Sequence, residues 1–315
     1  MFDDRPEKAI EKWEKAVAIN LDFAIAHRNL GWGYNHTYND IPRAIREYET
    51  ALKLNPEDAR YYYELDRLYE ENNTDPEKRL KVLTKNHEYL SKREDALMRE
   101  IMVLVLNRKY NKAINYLNEY FFHIQEGSRG FHDVHVDAHL LRGISYLKKG
   151  QYEKAIGDFL KADEYPANHQ IGRDPNYNRN AQIYYYTGLA YENNSEKDRA
   201  KVFYNKAVNQ DLDRSVYANY QALAYEKLGE PKRADEIYDA LINLGEDYIE
   251  DIDEVDFFAK FGAGQSMRER KATGHFMLGL GNLGKGAKRE AKNHFIKTTE
   301  LDKSRLWADI YRENI

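Results

Sequence analysis

The sequence predicts an all-α fold built from stacked helix–turn–helix repeats. Small and aromatic residues recur at fixed offsets along most of the chain, and turn residues separate the helical stretches. The composition agrees. Of 315 residues 42% are hydrophobic, but much of that share is Ala and 26 Tyr, and 32% of the chain is charged. Such a mixture suits thin two-layer packing with a large surface better than one thick core.

Taken in order, the opening stretch PEKAIEKWEKAVAIN reads as the second helix of a hairpin, with Ala9, Trp13 and Ala16 at the small, aromatic and small offsets. Its first helix is absent, which leads us to expect a piece of a longer protein. The next unit carries Leu30, Gly31, Tyr34, Ala44, Tyr48, Ala51 and Pro56. A looser unit at 59–91 keeps Leu65 and Tyr69 but has a degenerate second helix, and the unit at 92–124 keeps Tyr110, Ala113, Leu117 and Tyr120. Four clearer copies follow. One runs through Gly143, Tyr146, Gly150, Ala155, Phe159 and Ala162, and another through Gly188, Tyr191, Ala200, Tyr204 and Ala207. The third uses Ala222, Tyr225, Gly229, Ala234, Tyr238 and Leu241, and the last Gly279, Gly286, Ala291, Phe295 and Thr298. SRLWADIYRENI closes the chain as a capping helix, with Leu306, Trp307 and Ile310 inward.

These offsets have a direct physical reading. Two helices of about 12–14 residues form an αα-hairpin. A small residue midway along the first helix is expected to meet the small residue of the second, so that the backbones approach closely. The aromatic four residues later then fills the space towards the next hairpin. One hairpin cannot bury its apolar stripe alone, so neighbours must stack.

On these residues the chain resembles the tetratricopeptide repeat (TPR) proteins over about nine-tenths of its length. The resemblance implies a right-handed superhelical solenoid of about seven repeats, plus the N-terminal half repeat and the capping helix, as one domain over 1–315. The segment AHRNLGWGY, the insertions and DFFAKFG also resemble the C-terminal TPR regions of large bacterial proteins with an uncharacterised β-rich front domain. Intervals of 42 residues from Ile101 to Gly143, 45 from Gly143 to Gly188 and 57 from Ala222 to Gly279 exceed the repeat length. The excess places insertions at about 125–134, 167–178 and 246–268, in loops where function often concentrates.

Bulk properties exclude several classes. The net charge of −5 is spread along the chain, so there is no basic footprint for nucleic acid. The lack of Cys excludes disulfides, thiolate metal sites and thiol catalysis. No signal peptide and no span of about 18 apolar residues is present, so we expect a cytoplasmic protein without membrane contact.

First helices of TPR hairpins line the concave groove, and the resemblance places the residues three before and one after each small position in it. Those positions hold Arg28 and Trp32, Tyr63 and Arg67, Leu140 and Ile144, Tyr185 and Leu189, Asn219 and Leu223, and Phe276 and Leu280. Arg with Tyr or Trp is the usual composition of a binding hot spot, so Arg28, Trp32, Tyr63, Arg67, Tyr185 and Asn219 are the candidate binding residues. An Arg stacked on an aromatic for packing is the plainer reading of the same pattern. Chaperone-docking TPR proteins grip a carboxylate with Lys, Asn and Arg. Matching places here hold Arg28, Trp32, Arg67, Leu97 and Met102, which argues against that partner class.

His132, His135 and His139 have the spacing of one helical face, as a zinc site requires. However, a helix starting only near Val134 favours loop and packing roles, so no metal is expected. Seven acids between Glu246 and Asp256 lack the pattern of a calcium loop; Phe257, Phe258 and Phe261 beside them could instead plug the groove. No phosphate loop, catalytic triad or tied acid pair is present, and no cofactor is expected. The function predicted is a non-catalytic interaction scaffold for a peptide or partner domain. The alternative is a helical arm of a larger, carbohydrate-related enzyme, packing against an N-terminal domain this chain lacks.

Overall fold

The computed structural model describes residues 5–123, 129–174, 177–212, 215–250 and 266–315. Their regular structure is all helical, with no strand among them, and they group into two compact units, 1–109 and 110–315.

The first unit contains α1 (Pro6–Ile19), α2 (Ala24–Tyr38), α3 (Ile41–Leu54), α4 (Ala59–Glu71), α5 (Pro76–Lys85), α6 (His87–Leu90) and α7 (Glu94–Leu106). The second contains α8 (Tyr110–Glu119), α9 (Arg129–Lys148), α10 (Tyr152–Ala162), α11 (Asn180–Asn193), α12 (Lys197–Val208), α13 (Ala218–Leu228), α14 (Pro231–Glu250), α15 (Met267–Gly284), α16 (Lys288–Leu301) and α17 (Leu306–Glu313). The hairpins are α2–α3, α9–α10, α11–α12, α13–α14 and α15–α16. Each turn contains a residue in the left-handed region. Gly229 (φ 82°) supplies it without steric penalty, while Asn39 (φ 51°) and Ser195 (φ 66°) take the same role elsewhere. Aspartates cap the helices that follow turns: Asp40, Asp58 and Asp75 accept from the backbone N–H groups of Arg43, Arg60 and Glu77.

The packing inside a hairpin corrects one expectation. The aromatic of the second helix does not point only towards the next hairpin; it covers the glycine of its own first helix. A Cβ placed on Gly31 would stand 2.5 Å from the Tyr48 ring, and one on Gly188 would stand 2.7 Å from Tyr204. Phe159 and Phe295 lie over Gly143 and Gly279 in the same way. The missing side chain is thus a seat for a ring as well as a route to close backbones. In α11–α12 and α13–α14 the ring is a Tyr whose hydroxyl donates to a Glu four residues beyond the small position: Tyr204 to Glu192 at 2.8 Å, and Tyr238 to Glu226 at 3.1 Å. Where the ring is Phe159 or Phe295, the corresponding position holds Leu147 or Leu283, and no buried acceptor is stranded.

The degenerate repeat at 59–91 is packed differently rather than loosely. The small position of α4 holds Asp66, 1% exposed, and thirteen residues on, where α3 has its Ala44, α5 has Arg79, 0% exposed. Arg79 Nε donates to Asp66 Oδ1 at 2.8 Å, and Arg99 Nε of α7 donates to Oδ2 at 2.6 Å. A buried ion cluster replaces the small–small contact, with Glu70 holding the outer face of Arg99 at 2.9 Å.

Much of the expected insert at 246–268 that is described is helix. α14 continues to Glu250, and α15 opens at Met267 behind a capping box of Ser266 and Glu269. The two long helices cross closely, since a Cβ on Gly245 would stand 2.8 Å from the carbonyl oxygen of Gly274. Residues 251–265, including Phe257, Phe258 and Phe261, lie outside the described residues.

Candidate functional site

Residues four apart share one face of a helix. On α2 this brings Arg28 and Trp32 together, and on α4 Tyr63 and Arg67. The two pairs face each other across a cleft of about 240 Å³, also lined by Asn35, His36, Tyr48, Glu64, Leu68 and Glu71. Tyr48 and Leu68 are buried and form the floor; Trp32, 40% exposed, forms part of the rim. Its indole stacks on His36, with ring centroids 4.4 Å apart.

The two arginines differ in commitment. Arg28 forks onto the Glu64 carboxylate, its Nε 2.8 Å from Oε2 and a second nitrogen on Oε1, and that hydrogen-bonded pairing raises its pKa. Burial, the negative charge of Glu64 and its hydrogen bond raise the Tyr48 hydroxyl as well. Arg67 instead lies over its own Tyr63, 5.8 Å from the ring centroid and 3.5 Å from the hydroxyl, and makes no ion pair among the described residues. The cleft therefore holds one internally neutralised cation and one open to a ligand anion. Glu64, Tyr48 and Asn35 were not among the groove positions read from the repeat. Glu64 escapes that rule because it sits one residue past Tyr63, and only the facing of α2 and α4 turns it towards Arg28.

Tyr185 and Asn219 belong to the second unit, where the structure places them in the interior. Tyr185, 9% exposed, packs among the rings of Tyr186, Tyr204 and Tyr220. Asn219, 3% exposed, donates from Nδ2 to the Tyr311 hydroxyl at 3.1 Å. Asn219 is covered by α17, whereas Tyr185 is covered by rings of its own and neighbouring hairpins. Trp307 Nε1 donates to Asp137 Oδ1 at 2.7 Å, and Trp307 also meets the rings of Tyr186 and Tyr220.

Sequence profiles of the tetratricopeptide repeat match residues 39–79, 98–169, 181–214 and 220–244, together more than half of the sequence. The chain belongs to the tetratricopeptide repeat family. This TPR chain is similar to the structure of YrrB, described as a TPR protein with an unusual peptide-binding site, at 20% identity over 64% of this chain and 92% of that one, TM-score 0.42. It is similar to MamA at 22% identity, covering 59% and 90% of the two chains, TM-score 0.41. A TPR protein from Parabacteroides merdae aligns over 96% and 98% of the two chains at 13% identity, TM-score 0.46. Among the described residues no helix of the TPR chain is long and apolar enough to cross a membrane.

The histidine face lies in the second unit. Helix α9 starts at Arg129 rather than near Val134, so His132, His135 and His139 do share a helix. Yet no group of three or more His, Asp or Glu is placed to hold a metal among the described residues. His135 Nε2 and His169 Nε2 point at the carbonyls of Lys161 and Leu117, each at 2.9 Å, and His132 stacks on Tyr165 with centroids 4.0 Å apart. Burial pushes His132 down to about 4 and lowers His135 and His169 as well. His132, His135 and His169 are thus core histidines held towards the neutral form, while His139 Nδ1 lies 3.1 Å from Asp158 Oδ1.

Proposed function

We propose that this TPR chain is a non-catalytic interaction scaffold that takes an acidic, aromatic-flanked peptide segment in the cleft between α2 and α4. TPR folds generally serve as protein-interaction scaffolds, and the cleft has the chemistry for a peptide side chain. The observation that carries the reading is Arg67, a cation on the rim with no ion pair among the described residues, facing the exposed Trp32 across a small cavity. At about 240 Å³ the cleft lies below the roughly 300–1,000 Å³ of small-molecule sites. It suits one or two side chains of a peptide better than a cofactor. A ligand carboxylate at Arg67 gains a charge-assisted hydrogen bond, and a neighbouring apolar side chain covers the indole.

The test is recovery of partners on the immobilised chain, compared with Arg28→Ala/Arg67→Ala and Trp32→Ala variants. Loss of recovered peptides from both variants supports the cleft, whereas unchanged recovery removes these residues from the site. Self-association of the isolated chain through an apolar patch would instead favour the reading as a structural arm of a larger enzyme.

A further inference from the structure

The net charge of −5 averages over one segment of the opposite sign. Residues 266–301, which form the α15–α16 hairpin with its cap and turn, hold eight Lys or Arg against three acids. Lys285 is committed to Asp235 and Asp239 of α14, each at 2.7 Å. By contrast, Lys271, Lys288, Arg289, Lys292 and Lys297 make no ion pair among the described residues. Unpaired like charges on two packed helices repel one another, and a bound anion relieves that repulsion.

Part of this charge gathers round two histidines. His275 Nδ1 on α15 and His294 Nδ1 on α16 lie 3.1 Å apart, with ring centroids at 5.3 Å. Lys271 stands one turn before His275 and Lys297 three residues after His294, so each lysine shares the helix face of its histidine. Burial, and then the positive charges of His294, Lys297 and Lys271, hold His275 down to about 4. Burial and Lys297 lower His294 as well. Both rings are therefore neutral near pH 7, and one Nδ1–H donates to the other Nδ1. The accepting ring then carries its own proton on Nε2, as a further donor. Two imidazoles at this spacing are half of a metal site, yet no third His, Asp or Glu joins them among the described residues, and two ammonium groups repel a cation.

The same groups suit an anion. Two full positive charges and an imidazole N–H are more than one carboxylate can use. They match a phosphate monoester, which brings roughly two negative charges and three acceptor oxygens. We infer that Lys271, His275, His294 and Lys297 form a binding site for a phosphate monoester dianion on the α15–α16 hairpin. The ligand neutralises both lysines, accepts from an imidazole and ties the two helices together. The inference is independent of the α2–α4 cleft and stands whether or not that cleft binds a peptide.

The experiment uses the full chain in two arms. Calorimetric titration with phenyl phosphate reads a soluble ligand, and co-sedimentation with phosphatidylcholine vesicles containing phosphatidic acid reads a lipid headgroup. Lys271→Ala/Lys297→Ala should weaken binding at least about tenfold. Lys288→Ala/Lys292→Ala removes the same charge from the other side of α16 and should weaken it less than about twofold. Binding in either arm that only the first variant loses supports the site and names the source of the phosphate. Binding in neither arm, or equal behaviour of the two variants, overturns it. NMR of the wild-type chain is the second measurement and does not depend on a variant folding. Phenyl phosphate should shift the ring resonances of His275 and His294 and leave those of the buried His132 and His169 in place. Unmoved His275 and His294 resonances at saturating phenyl phosphate, without vesicle binding, would also overturn the inference.

Discussion

One carboxylate oxygen, Asp137 Oδ1, accepts both from the buried Arg179 guanidinium and from the indole of Trp307, which lies 2.7 Å away and 170 residues later in sequence. The two donors are not equivalent. Arg179 is 1% exposed and brings a full charge, while Trp307 brings a neutral N–H at a half-covered surface.

Trp307→Phe should therefore be mild, losing one hydrogen bond while the acceptor stays paired, about 1 kcal/mol. Asp137→Leu leaves the buried Arg179 with only the more distant Asp133 carboxylate, 3.6 Å away, and should cost about 2–4 kcal/mol. Urea denaturation of both variants checks the ordering; equal losses would contradict it.

Gly188→Ala should destabilise by about 1–3 kcal/mol, because the new methyl would sit 2.7 Å from the Tyr204 ring and the ring has nowhere to go. Gly157→Ala, in α10 with open space around it, should instead stabilise by roughly 0.5–1 kcal/mol through helix propensity. The two melting temperatures should move in opposite directions.

Acid should unfold the second unit in a window set by its histidines. In the unfolded chain His132 titrates near 6.5, and in the native state burial holds it down to about 4. The unfolded state therefore binds the proton first. Stability is complete above about pH 6.5 and is lost as the pH falls towards 4, by about 3 kcal/mol at full protonation. Arg179, Arg173 and His169 add to the depression, while Asp133 opposes it. His135 and His169 steepen the loss in the same direction. His132→Phe keeps the stack on Tyr165 and should flatten the dependence of the denaturation midpoint between pH 7 and 4.5. Parallel curves would reject this assignment.

Asp66→Ala should cost about 3–5 kcal/mol, since the buried Arg79 and Arg99 both lose their closest carboxylate and keep only longer or outer contacts to Glu70. Asp66→Ala with Arg79→Ala restores the small–small pairing found in the other hairpins and should cost less than the sum of the two single changes. The coupling between the two positions, read from a double-mutant cycle, should be favourable and above about 1 kcal/mol.

Glu64→Gln should raise affinity for acidic peptides about tenfold, because it releases Arg28 to the ligand alongside Arg67. The gain should shrink as salt rises. Calorimetric titration of an acidic peptide against both chains distinguishes this from a purely structural role for Glu64. No change in affinity would mean that Arg28 does not meet the ligand.

The repeat was legible because its signal is periodic and local. Gly143, Gly188 and Gly279 with Phe159, Tyr204 and Phe295 identify hairpins from spacing alone, since few side chains tolerate a helix face pressed against a ring. Half of the candidate groove was legible for the same reason: Arg28 and Trp32, like Tyr63 and Arg67, are one turn apart, and the repeat brings their helices together. The unit at 59–91 looked degenerate because Asp66 and Arg79 break the small-residue pattern; only their burial shows that an ion pair has taken over the same contact.

Sequence alone determined the class of fold and which residues share a helical face, because helix geometry ties these to offsets of three and four; it misplaced the start of α9 and the end of α14. It could not determine what covers a face. That Tyr185 is enclosed by Tyr204 and Tyr220, that Asn219 lies beneath Tyr311, and that Glu64 neutralises Arg28, are decided by side chains from other helices. Such contacts follow from how whole helices stack, and no local spacing records them.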